Sequence, residues 1–145
     1  MIAFSFSEII TRDLEKFKEE IRLFPEERLW VVQGDIKNSA GTLALHLTGN
    51  LKHFIGAILG STGYVRQRDK EFSDKNISKE KLLQGLDEAS AVVNKVLSSF
   101  PDEKLSELYP IEKSGKQPTT FGMLLHLTSH LSYHLGQVNY LRRMN

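Results

Sequence analysis

The chain contains no cysteine. Disulfides and thiolate-ligated metals are thereby excluded, and a reducing compartment is the natural setting. Proline is scarce. Its four residues, at 25, 101, 110 and 118, all fall between segments with a helical pattern. A charge imbalance is missing as well: 19 Lys and Arg face 18 Asp and Glu, for a net charge of +1. That argues against nucleic acid as a partner, because nucleic-acid binders usually carry a strongly basic face. The opening MIAFSFSEII has no basic start, long apolar run or small-residue cleavage site of a secretory signal, so a cytoplasmic location is expected. No internal repeat or low-complexity tail is visible. The 145 residues suffice for one domain with a proper core, expected to span 1–145.

What is present is helical periodicity. Ile10, Leu14, Phe17, Ile21 and Phe24 alternate steps of four and three, the seam of an amphipathic helix with Ser7 as its expected N-cap and Pro25 closing it. Leu47, Leu51, Phe54 and Ile58 mark a second helix from about Thr42 to Leu59, capped by Ser39 or Thr42. A third starts near Ser78, with Leu82, Leu86, Ala89, Val93 and Val96 inward, and stops before Pro101. The fourth follows Pro118-Thr119 and runs to about Arg143, with Leu127, Leu131, His134, Val138 and Leu141 as its seam. Helices of this length, about 25–35 Å each, suit an all-α four-helix bundle. The connection GSTGYVRQRDKEFSDKN, residues 60–76, is long enough to carry the chain along the bundle, so the second and third helices need not form an antiparallel hairpin.

Charge divides the helices into two kinds. The first and third are laced with Lys, Arg, Asp and Glu, as solvated outer faces require. From Thr119 to Leu141 there is no charged residue, and from Ser39 to Val65 only Lys52. A membrane span is disfavoured by the three histidines and the Thr128, Ser129, Ser132, Gln137 and Asn139 of the fourth helix. One core hides one stripe of a helix, not every side. A homodimer built on uncharged surface of the second or fourth helix is therefore expected.

All five histidines lie on these two uncharged helices: His46 and His53 on one, His126, His130 and His134 on the other. Residues four apart share a helix face, so His130 and His134 can reach one metal ion, as in HxxxH zinc sites. A third ligand has to come from another helix. His46 is the best candidate, with Asn50 and Ala57 on its side leaving room for a cavity. The plainer reading stays open: the imidazoles can simply be packed and hydrogen-bonded to neighbouring Ser and Thr.

LALHLTGNLKHF around His46, followed far downstream by HLTSHLSYHLGQVNYLRR, resembles the DinB/YfiT-like superfamily over nearly the whole chain. The Gly136-Gln137 pair after His134 is the most specific part. The resemblance implies an up-down-down-up four-helix bundle with a long connection between helices 2 and 3, often dimeric. It also implies a divalent metal held by His46, His130 and His134. His53 and His126 fall outside the usual triad. Relatives often carry acidic residues near the motif, but Ser129 precedes His130 here, so no catalytic carboxylate is carried over. Three neutral imidazoles suit zinc or nickel. The superfamily includes metal-dependent transferases for low-molecular-weight thiols and thiol-linked isomerases. That implies a small-molecule substrate and a thiol co-substrate, with an activated thiol or water as nucleophile. The competing reading is a non-catalytic dimeric module with a structural or vestigial histidine cluster. An enzyme needs an open coordination position, whereas a structural site is closed, by His126 or His53.

Other residues carry smaller expectations. Tyr133 and Tyr140 share a face and should pack. Gly136 should admit a neighbouring helix, and Gln137 either steadies a ligand histidine by a hydrogen bond or serves at a surface or interface. Arg66 and Arg68 either meet an anionic substrate or lie in a solvated loop, the plainer reading given Asp69, Glu71 and Asp74 beside them. Trp30 is a core or pocket-wall residue. The 60–76 connection or the Pro110–Pro118 segment should shape the site entrance.

Overall fold

The computed structural model describes residues 1–144. Its elements are α1 (Ile2–Leu23), a 3-10 turn at Glu26–Arg28, α2 (Ala40–Leu51) continuing with π-helical winding over Lys52–Leu59, α3 (Arg68–Ser73), α4 (Lys79–Ser98), a 3-10 turn at Asp102–Ser106, and α5 (Thr120–Arg143). No strand is formed among the described residues. Isolated bridges Leu108–Thr119 and Lys113–Lys116 fold the segment before α5 into a hairpin-like loop.

The directions of the four long helices follow from their end contacts. Asp102, four residues beyond the end of α4, accepts from the backbone N–H of Ile2 (2.8 Å) and Ala3 (3.0 Å), so α4 runs opposite to α1. At the other end Lys79 donates to the carbonyls of Arg22 (3.0 Å) and Phe24. Near the C-terminal end of α1, Glu20 accepts from Asn139 (2.7 Å) and Arg142 (2.5 Å), while Phe6 meets Phe121 near the start of α5, so α1 and α5 are parallel. Gly56 lies against Val92 and Gly60 against Val96, which makes α2 and α4 parallel. The bundle is therefore up-down-down-up, and the residues between α2 and α4 climb back along its length. Around the core, α1 and α2 are diagonal, each flanked by α4 and α5.

The expected seams form most of the core. At the end of α4, however, Leu97 is the buried residue and the expected Val96 is only half-buried, and His134 of α5 is half-buried as well. Ile10, Leu14, Phe17 and Ile21 of α1 are fully buried, as are Leu86, Ala89 and Val93 of α4 and Leu127 and Val138 of α5. Ser39, Ser78 and Thr119 cap α2, α4 and α5 by accepting from the N–H of Thr42, Lys81 and Gly122. Two expectations need correction at α1 and α2. Ser7 is a buried residue within α1, not its cap; α1 starts at Ile2 and has no side-chain cap of its own, and Asp102 supplies the acceptor from across the bundle. In α2 the core takes Phe54 and Ile55, while Ile58 stays partly exposed. The wider π-helical turns shift the phase of the seam there. Tyr109 marks the same place: its buried hydroxyl donates to the Phe54 carbonyl at 2.6 Å and pins the hairpin-like loop to α2.

The two backbone N–H groups and the Met1 amine lower the Asp102 carboxyl from 3.8 to about 2. A group depressed on folding contributes stability that is present above its unfolded value and lost as pH falls through the folded one. Asp102→Ala should lower the melting temperature at neutral pH. The gap from the parent should close as pH is taken from about 4 toward about 2, which thermal unfolding across that range measures.

Candidate metal centre

His46 projects from α2 toward α5, where His130 and His134 stand one turn apart. The three rings meet nearly edge to face, at interplanar angles of 79° (His46–His130), 89° (His46–His134) and 87° (His130–His134). Their surroundings assign the nitrogen roles. Glu71 Oε1 can only accept, so His46 donates to it from Nδ1 at 3.1 Å. Gln137 Oε1 likewise accepts from His134 Nδ1 at 2.7 Å. Both Nε2 atoms are thus left with bare lone pairs. Each lies 3.1 Å from His130 Nε2.

A single hydrogen on His130 Nε2 can serve one of those contacts, not both. The set matches a divalent ion better: tetrahedral Zn–N bonds of 2.0–2.1 Å put the ligand nitrogens about 3.3 Å apart. Among the described residues, His46, His130 and His134 form the group whose donor atoms all lie within 4.8 Å of one another. Burial, and then the neighbouring His134 and His46, hold His130 down to about 3. Burial also lowers His134, against the hydrogen bond it donates to Gln137, which raises it. His130 therefore stays neutral at ordinary pH and keeps its lone pair. Its Nδ1 is buried and meets no hydrogen-bonding group of the protein among the described residues.

Behind His46 lies a buried ion pair. Arg66 donates to both Glu71 oxygens at 2.8 Å, from its Nε and from a terminal nitrogen. The Arg66 and Glu71 side chains are only 11% and 7% exposed. Burial alone would raise the Glu71 carboxyl; the hydrogen bonds from His46 and Arg66 outweigh it and hold the group below the usual range. Room for the carboxylate comes from Gly49, where a Cβ would stand 2.0 Å from Glu71 Oε2.

The protein-family model described as "Protein of unknown function (DUF1572)" matches residues 6–145. The chain belongs to the DUF1572 family. A solved structure titled as a DinB-like protein from Bacillus cereus ATCC 10987 shares its fold, with a TM-score of 0.75 over 96% of this chain and 89% of that one, at 17% identity. No curated protein matches the chain. The DinB-like fold that the resemblance implied is thereby borne out.

The geometry of this DUF1572 chain brings together the three expected residues and leaves two histidines out. His126 stacks on His130 with ring centroids 6.1 Å apart, and His53 lies against Phe54. Neither joins the cluster. Gln137 takes the steadying role expected of it. Arg66 is no solvated loop residue, because the connection folds into α3 and turns Arg66 inward; Arg68 does stay exposed. Gly136 faces open space, with nothing of this chain within 4 Å of a built Cβ, so it admits no neighbouring helix of the bundle. Tyr133 and Tyr140 are 65% and 66% exposed and do not pack within the chain. Trp30 packs on Gly41 and donates from Nε1 to Ile77 O at 3.2 Å, tying the first connection to the second. Glu71 is the residue sequence reasoning missed. Its one signal was Gly49, a helix-interior glycine that costs about 1 kcal/mol against Ala and marks a spot where something must approach closely.

Removing one member of a buried ion pair leaves the other uncompensated, at a cost of about 3–5 kcal/mol. Glu71→Ala should destabilise the fold on that scale in urea unfolding. The double variant Glu71→Leu with Arg66→Met should recover much of the loss, since no lone charge then remains buried.

Proposed function

We propose that the chain is a divalent-metal protein whose three-histidine centre serves a reaction of a small molecule, with a low-molecular-weight thiol or water as the nucleophile. His46, His130 and His134 would hold the ion through Nε2. Zinc and nickel suit three neutral nitrogen donors, and the Irving–Williams order permits several others. One observation carries the reading: three Nε2 atoms converge, those of His46 and His134 fixed from behind by Glu71 and Gln137, and neither His53 nor His126 closes the group. A closed structural site would need a fourth protein ligand.

A bound divalent ion supplies Lewis acidity and lowers the pKa of a nucleophile. The chain's own residues do the rest. Glu71 and Gln137 hold two imidazoles in the tautomer that presents Nε2. Arg66 keeps Glu71 ionised and in place. A cavity of about 460 Å³ lies beyond Gln137, on the far side of His134 from its Nε2; Ile36, Leu43, Tyr140 and Leu141 wall it together with Asp35 and Lys37, and none of the three histidines lines it. Its size and mainly apolar lining suit a small organic molecule.

The second part of the proposal is a homodimer. The outward face of α5 carries Leu125, Tyr133 and Tyr140, at 50%, 65% and 66% exposure, with Ser129, Ser132 and Gly136 between them and no charge. Apolar surface of that kind marks an interaction site. Gly136, open in the single chain, would let the second copy approach.

Two measurements test this. Zinc or nickel titrated into tag-free protein should bind at one ion per chain, and His130→Ala should abolish that binding while circular dichroism keeps its helical signal. Glu71→Gln should weaken it by roughly 10–100-fold. Small thiols should then bind the metal-loaded protein and not the stripped one. Metal binding without any metal-dependent difference toward thiols, and without hydrolytic activity, would leave the non-catalytic module as the better account. For the assembly, light scattering should give twice the chain mass, and Tyr133→Asp with Leu125→Asp should halve it.

A further inference from the structure

The positive charges around the histidine cluster are not matched by negative ones. Lys113 sits at the tip of the hairpin-like loop. Its turn is held by Lys113 N–H donating to Lys116 O at 2.7 Å and Lys116 N–H returning to Lys113 O at 3.1 Å. Positive φ at Ser114 (53°) and Gly115 (78°) reverses the chain there. The Lys113 side chain thereby lies inward, half-buried, with Nζ 5.1 Å above the Phe54 ring, a ring that Arg66 also approaches at 5.6 Å. Arg68 lies 4.9 Å over Phe72, whose ring is 5.1 Å from that of His46.

Three cations from two different segments thus gather beside the three histidines. The Glu71 carboxylate is already engaged by Arg66 and His46. Among the described residues, no carboxylate forms an ion pair with Lys113 or Arg68. Burial, and then the charges of Arg66 and Arg68, push the Lys113 amine down. A half-buried lysine laid over the ring that Arg66 also approaches, rather than turned out to water, raises the local free energy unless an anion shares the space.

We propose that Lys113 and Arg68 form a site for the oxyanion group, carboxylate or phosphate, of the small-molecule substrate, beside the three histidines. The oxyanion takes charge-assisted hydrogen bonds from both side chains. Phe54 and Phe72 supply the apolar walls on which the two cations rest, and they lower the dielectric in which those bonds act. The site is built from opposite sides: Tyr109 anchors the loop that bears Lys113, and the Arg66–Glu71 pair fixes the segment that bears Arg68. This assignment rests on the metal reading for the purpose of the anion site, not for its existence, so the two can be tested apart.

Inorganic phosphate and succinate are titrated into the full chain, stripped of metal and then zinc-loaded, and amide chemical shifts are followed by NMR. Saturable shifts should centre on residues around Lys113 and Arg68 in both forms. The Lys113→Gln, Arg68→Gln double variant should bind at least about tenfold more weakly, with zinc affinity unchanged. Whichever probe binds more tightly names the oxyanion. Equal affinity in parent and variant, or shifts centred elsewhere, overturns the proposal. If phosphate binds only with zinc and ignores Lys113 and Arg68, the anion site fails and the metal reading stands. If zinc does not bind yet the anion affinity still depends on both cations, the metal reading fails and the anion site stands.

Discussion

Glu71 is a carboxylate with almost no access to water, and that burial is tolerable because its two oxygens are shared between Arg66 and His46. Much of the local architecture follows from this arrangement. The chain between α2 and α4 has to return along the bundle, and it does so with α3 laid against α2 at the height of His46. Gly49 is the hole that admits the carboxylate. A side chain there would force Glu71 out, take Arg66 with it and free the His46 ring to rotate. The ion pair therefore acts on the cluster through one contact, the Glu71 carboxylate on His46 Nδ1 at 3.1 Å. It fixes which nitrogen of His46 bears hydrogen, and so which one faces α5.

The second constraint is the winding of α2. Over Lys52–Leu59 the backbone widens to π-helical turns, and the apolar seam slips so that Ile55, four residues after Leu51, stays in the core while Ile58 falls at its edge. The slip sets Phe54 under the hairpin-like loop, where Tyr109 binds its carbonyl and Lys113 covers its ring. Regular α-helical winding would carry Phe54 and Ile55 to other angles around the axis and separate the loop from the face it covers. π-turns cost hydrogen-bond quality and persist where a site needs the altered direction. Here the altered segment lies below His46 on the helix that bears it.

The parts of the fold that depend on periodicity were legible in the chain. The four seams, the caps at Ser39 and Ser78 and the return of the long connection all reflect local patterns acting over one helix length. The motif residues His130, His134 and Gln137 were legible too, because their partners sit within one turn of the same helix. What stayed hidden depends on contacts between distant segments. Glu71 and Arg66 stand five apart in a connection rich in ordinary surface residues, and nothing nearby marks them as buried. Asp102 caps a helix about a hundred positions away, which no local rule for α1 can find. The phase slip in α2 was invisible because Leu47, Leu51, Phe54 and Ile58 satisfy an α-helical pattern on their own. The outward Tyr133 and Tyr140 were misjudged for a different reason: periodicity tells which residues share a face, not whether the chain itself covers it.

The uncharged character of α2 and α5 has a consequence for the centre between them. His130 is held neutral, Gln137 carries no charge, and the charge of Glu71 is cancelled by Arg66, so the inner surface of the cluster carries imidazole nitrogens and little fixed charge. Protonation cannot relieve the mutual repulsion of their lone pairs at ordinary pH, because burial and the neighbouring imidazoles hold His130 down to about 3. A divalent ion can do so, and it would bring its full charge with it, since none of its ligands would be anionic. The neutral donor set and the cationic rim of Lys113 and Arg68 then act in the same direction: the first leaves the ion's charge uncompensated, and the second adds to it. Under the metal reading, the compensating charge has to arrive with the molecule that binds.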